Sequence, residues 1–226
     1  MMRNPDGSLS LDGELDQPQL GRETRWPLIV VVVGALLGCI FAAVSTSDFI
    51  QHLDRQVHSI HCSFIPGAGK ELGESGCKAV MMSPYSSYFR ESLWGGMPVS
   101  LWALATFAFL LYRGALLLWR GKPTRPETLF LLAATALPVL MSLVYGYLSV
   151  AKVGETCKVC VGIYVSSAMV FMGAVVAHQK NSAPHDFTPL GGKFALWFVE
   201  GVLFVAFLSI TYVIFTPSPD AKKALA

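Results

Sequence analysis

Five long apolar runs separated by polar segments set the plan of the chain. Residues 26–47 carry no charge, and a helix needs about 20 apolar residues to cross the hydrocarbon core of a bilayer. Residues 93–112, 128–151, 159–177 and 194–216 repeat that pattern, so five transmembrane helices are predicted. Pro98 near the start of the second run is tolerated there, whereas Pro138 inside the third predicts a kink. The longest polar connection is residues 48–94. Its first part places Phe49, Ile50, Leu53, Val57 and Ile60 at helical spacing, which predicts a short helix at the membrane surface. Residues 1–25 and 217–226 are polar, without apolar periodicity, and read as solvated tails.

Composition agrees with that plan. Of 226 residues, 53% are hydrophobic and 14% charged, against roughly 25% charged in a soluble domain. A net charge of +2 is too small to argue for nucleic-acid binding. The fold class is therefore an all-α integral membrane protein, with four helices in a bundle and a fifth beside it. The corresponding divisions are a tail (1–25), a transmembrane domain (26–180) with a long loop (48–94), a loop and fifth helix (181–216), and a second tail (217–226).

The chemistry lies in the cysteines. Cys39 falls mid-span and reads as a small packing residue. Cys62 and Cys77 lie in the long loop. Cys157 and Cys160 form a Cys-x-x-Cys at the start of the fourth run, with Tyr164 a turn deeper on the same face and Thr156 as the expected N-cap. Two crossings separate the loop pair from the fourth run, so all four cysteines share one membrane face in either orientation. Lysine and arginine count nine inside against eight outside for an inward N-terminus, which decides little. The dense Arg113, Arg120, Lys122 and Arg125 group between the second and third runs favours that orientation. Disulfides persist outside the cytoplasm, so the cysteines are expected on the external or periplasmic side.

A helix N-terminus favours a thiolate, and a mobile loop gives access to it. Two such pairs on one face form a candidate disulfide relay. A Cys₄ zinc site would repeat the short spacing, and c-type haem attachment needs His at position 161, where Val stands. His52, His58 and His61 near Cys62 read as solvated loop histidines, or as ligands in the alternative: a non-catalytic membrane redox sensor or metal-binding protein. Glu200 is an intramembrane carboxylate, expected to reach the interface or to pair with Arg113, outside the active site.

The ordered motifs are Cys62, then Cys77-Lys-Ala-Val80-Met-Met-Ser83, then Gly96-Met-Pro98, then Cys157-Lys-Val-Cys160 followed by Tyr164. This arrangement resembles the vitamin K epoxide reductase family, in its bacterial disulfide-forming branch, over residues 26–177. Departures from the family pattern are a longer Cys62-to-Cys77 spacing, an apparent insertion at residues 90–95 and Ala103 where glycine is frequent. The resemblance implies a quinone-dependent thiol–disulfide oxidoreductase. Electrons from a reduced thioredoxin-like partner would enter at Cys62/Cys77 and pass to Cys157/Cys160. From there they would reach a ubiquinone or menaquinone acceptor held with help from Tyr164 and Ser83. Because the chain stops at Ala226, the thioredoxin-fold partner is expected to be a separate protein, and no metal is expected.

Overall fold

The computed structural model describes residues 25–53, 80, 83–89, 96–121, 123–181 and 190–215. Cys62, Cys77, His58, His61 and the polar tails lie outside the described residues. Among the described residues five long helices follow one another: α1 (Arg25–Leu53), α2 (Val99–Arg120), α3 (Arg125–Leu148), α4 (Lys158–Gln179) and α5 (Leu190–Phe215). All five are long and apolar enough to cross a membrane. The all-α membrane architecture expected from the apolar runs is the one the chain adopts. A minor addition is a pair of two-residue strands, β1 (Ser87–Tyr88) and β2 (Met97–Pro98), paired antiparallel with Ser87 opposite Pro98.

Helix α1 is the centre of the packing, lying against both α2 and α4, while α3 rests on α4 and α5 on α2. The shared core contains Leu28, Val31, Ala35, Phe107, Leu110, Leu117, Val170 and Ala174. Lipid is as apolar as a leucine, so helices in a membrane associate through close contact rather than through exclusion of water. Glycines on α1 and α4 permit that contact. A Cβ at Gly38 would run into the Phe107 ring, and one at Gly162 would sit 2.8 Å from the Phe41 ring. Large apolar side chains such as Leu143, Phe207 and Phe215 remain on the outside, where lipid would cover them.

Several helix ends differ from expectation for identifiable reasons. The first helix does not stop at residue 47 to restart as a separate surface helix; it runs unbroken to Leu53. The second begins at Val99 rather than at residue 93. Proline disfavours helical geometry in the residue before it, which keeps Met97 extended and free to pair with Tyr88. The third starts at Arg125, where the Glu127 carboxylate accepts from the Thr124 N–H at 2.9 Å, and its other oxygen takes Arg120 Nη1 at 3.0 Å. At its far end α3 widens into one π-helical turn (Ser149–Val153), closed by Gly154 at φ 76°. That positive φ is costly for any residue with a side chain.

Arg113 does not mark the interface as expected. It is buried inside α2, where its Nη1 donates to Glu200 Oε2 on α5 at 3.4 Å. The guanidinium carbon also lies 4.9 Å from the Trp197 ring centroid and 5.8 Å from that of Phe130. Glu200 thus takes the second of its two expected roles and pins α5 to the bundle. Removing the half-exposed Glu200 leaves the buried Arg113 charge without this partner, which is destabilising. Glu200→Leu is therefore expected to lower the thermal midpoint of the purified protein markedly, and the combined Arg113→Leu/Glu200→Leu variant to recover much of the loss. Equal melting of the wild type and the single variant would contradict the pinning role.

Candidate functional site

The first turn of α4 builds the site. Cys157 has extended backbone angles, φ −98° and ψ 122°, and its carbonyl accepts the first helical bond from the Val161 N–H at 3.0 Å. Cys157 is thus itself the N-cap, one residue later than the Thr156 expected from the cap preference of threonine. The shift has a chemical consequence. The N–H groups nearest a cap side chain belong to the second and third helical residues, here Val159 and Cys160. They are therefore offered to a sulfur rather than to a threonine hydroxyl.

The Cys157 thiol is buried, and its pKa is lowered to about 7. The largest cause is a hydrogen bond with the Cys160 side chain, which favours the Cys157 thiolate; burial opposes it, the backbone N–H groups of Cys160 and Val159 assist, and the buried Asp48 carboxylate opposes slightly. Cys157 and Cys160 are both free thiols here. Behind them Cys157 and Val159 pack with Phe41, Val44 and Val80. Val80 connects this cluster to the segment that begins at Cys77.

In front of the pair lies a cavity of about 400 Å³, within the ~300–1,000 Å³ typical of small-molecule sites. Cys157, Cys160, Tyr164 and Ser83 all line it, so every sequence-predicted site residue among those described faces the same space. Leu137, Pro138 and Met141 of α3 and Trp102, Ala103 and Thr106 of α2 form its walls. Among the described residues no charged side chain lines it. Its polar groups are hydroxyls and thiols, among them Ser45, Ser100, Ser142, Tyr145 and Tyr164. Such a surface suits a neutral, largely apolar molecule with a few hydrogen-bonding oxygens.

The outer cover of the cavity is the segment from Ser83 to Phe89. The Ser86 N–H donates to the Ser83 carbonyl at 3.2 Å and the Ser86 hydroxyl does so at 2.9 Å, closing a turn through Pro84. Ser83 is therefore both the turn residue that proline predicts and a buried part of the cavity wall. Tyr88 follows. Its ring stacks on Trp102 with centroids 5.1 Å apart, and its hydroxyl lies 3.1 Å from that of Tyr145.

Tyr88, Tyr145 and Trp102 were not singled out from the sequence. Tyr88 and Tyr145 lie 57 residues apart, and nothing local links them. Trp102 did carry a signal, since it sits one helical turn after Pro98, on the face that leads towards the site.

The model of the Vitamin K epoxide reductase family matches residues 29–175. That range covers nearly all of α1 to α4 and contains Cys39, Cys157, Cys160 and every cavity-lining residue except Val205. The chain belongs to the vitamin K epoxide reductase family. It is accordingly a membrane oxidoreductase of a family associated in general with quinones and thioredoxin-like partners. A search among curated proteins finds no match to it.

Within this family setting the Cys157 thiol makes a definite pH prediction. With its pKa lowered to about 7, the thiolate is present above that pH and is lost as pH falls through it. Alkylation of reduced Cys157 by a small reagent, followed by mass spectrometry against pH, is expected to show a midpoint near 7. Cys160→Ala removes the largest lowering influence and moves the midpoint up towards the ordinary thiol value of about 8.5. An unmoved midpoint in that variant would contradict the role given to Cys160.

Proposed function

We propose that this protein is a quinone-dependent thiol–disulfide oxidoreductase that oxidises a separate thioredoxin-fold protein outside the cytoplasm, as members of the bacterial disulfide-forming branch do. The observation that carries this reading is the placement of Cys157, Cys160 and Tyr164 on one uncharged cavity at the start of α4.

The proposed relay has two exchanges and one redox step. A partner thiolate attacks the Cys62/Cys77 disulfide at Cys62 and releases Cys77 as a thiolate. A second partner thiol then resolves the mixed disulfide, leaving the partner oxidised and both loop thiols reduced. The Cys77 thiolate attacks Cys157 of the Cys157/Cys160 disulfide and frees Cys160. Cys62 next attacks Cys77 in that mixed disulfide, so that the loop disulfide re-forms and Cys157 leaves as a thiolate. A low-pKa thiol is a good leaving group, which suits Cys157 at its cap position. Oxidation of the Cys157/Cys160 dithiol back to a disulfide delivers two electrons and two protons to the quinone, giving a quinol. Tyr164 is assigned a hydrogen bond to a quinone oxygen, and Ser83 a place in the wall beside it.

Chain geometry supports the middle exchange. Cys77 is three residues before Val80, a span of at most about 11 Å, and Val80 packs against Cys157 and Val159. The external placement of both pairs rests on the stability of disulfides outside the cytoplasm and on the basic residues at the opposite ends of the helices.

Mutation tests the relay in two parts. Cys157→Ala and Cys160→Ala are each expected to abolish quinol formation from any thiol donor. Cys62→Ala and Cys77→Ala are expected to lose turnover with a reduced thioredoxin-fold donor yet to keep slow turnover with a small dithiol that reaches the inner pair directly. Tyr164→Phe is expected to raise the quinone KM about tenfold, the worth of one buried hydrogen bond. Normal quinol formation in Cys157→Ala or Cys160→Ala, followed by absorbance, would defeat the proposal.

A further inference from the structure

We propose that Tyr212, on α5, is a positioning residue for the acceptor: it holds the Tyr88–Trp102 wall of the cavity in place from a helix that lies beyond the family-matched region. The inference rests on the cavity being the quinone site. The matched residues end at 175, and α5 spans Leu190–Phe215, so α5 is an addition of this chain to the part it shares with the family model.

The connection runs through direct contacts from α5 to the cavity wall. Tyr212 is buried, and its hydroxyl donates to the Gly96 carbonyl at 2.9 Å, across 116 residues of sequence. Gly96 stands at φ 83°, a left-handed conformation that turns the chain into β2. Met97 of β2 packs with Leu101 and Tyr212, and Leu208 and Trp102 border the same cluster. The Met97 sulfur accepts from Trp102 Nε1 at 3.1 Å. Tyr88 pairs with Met97 in the short ladder and stacks on Trp102. Pro98, Trp102 and Tyr88 then line the cavity itself.

Helix α5 is fixed at two places. Glu200 pairs with Arg113, and Tyr212 binds Gly96 twelve residues on, about 18 Å along the axis. Between them Val205 reaches the cavity lining. A helix held at both points cannot slide, so the cover segment it supports keeps one position over the acceptor. Without the Tyr212 hydroxyl the Gly96 carbonyl loses this donor, and the turn into β2 loses its tie to α5. Acceptor binding should weaken while the cysteine chemistry stays intact, because Tyr212 touches neither Cys157 nor Cys160 among the described contacts.

The test uses the purified full chain, a small dithiol as donor and a short-tailed ubiquinone as acceptor. Tyr212→Phe keeps the ring and removes only the hydroxyl. The expected result is a quinone KM raised roughly fivefold with kcat within about twofold, as for loss of one net hydrogen bond. The alkylation midpoint of Cys157 should not move. Leu208→Ala, which trims the same patch of α5, should shift KM in the same direction and decides the matter if Tyr212→Phe does not fold. An unchanged KM, or a loss in kcat alone, overturns the inference while leaving the functional reading in place. Absence of quinol formation by the wild type defeats the functional reading, and the inference falls with it.

Discussion

A sulfur at the cap of a membrane helix is the interaction on which the site depends. An apolar cavity at membrane depth cannot hold an isolated charge cheaply. Thiol exchange nevertheless needs a thiolate, which is the attacking and the leaving form of the group. Cys157 meets both demands because it sits at the boundary. It precedes the first helical residue of α4, where N–H groups without helical partners favour the anion. Cys160, one turn inside, adds the strongest influence on the same sulfur. The two thiols are therefore unlike from the outset, one at the cap and one within the helix.

The remaining helices make that boundary usable. Helix α1 backs the pair through Phe41 and Val44, and its close packing on α2 and α4 relies on glycines that leave no room for a side chain. Helix α3 supplies the opposite wall and is tied to α4 beside the cavity by a hydrogen bond between the Ser142 and Ser167 hydroxyls at 3.0 Å. Helix α5 packs on the outside of α2, is tied there through Arg113 and Gly96, and reaches the cavity with Val205. The lining holds no charged side chain among the described residues, while the one described intramembrane ion pair is spent on holding α5.

Much of this was legible in the sequence because its signals are local. Twenty uncharged residues in a row specify a span, and Cys157, Cys160 and Tyr164 lie at helical spacing on one run. The order of motifs pointed to the family. Boundaries were less legible. Apolar periodicity does not report that Pro98 holds Met97 extended, nor that the cysteine itself takes the cap ahead of a nearby threonine. Long-range partners were legible only when they carried charge. Glu200 and Arg113 could be matched because each is costly alone in a membrane, whereas Tyr88 with Tyr145, or Tyr212 with Gly96, leaves no trace that a single sequence can show.

In the proposed relay the Cys157/Cys160 dithiol itself reduces the acceptor. This step is tested most directly in a Cys62→Ala/Cys77→Ala protein, which keeps Cys39, Cys157 and Cys160. The reduced protein is mixed anaerobically with one equivalent of quinone, and quinol and remaining thiols are counted after a single turnover. One quinol formed and two thiols lost per protein are expected, with Cys39 still free. Quinol formed without loss of Cys157 and Cys160 thiols, or no quinol at all, would contradict it.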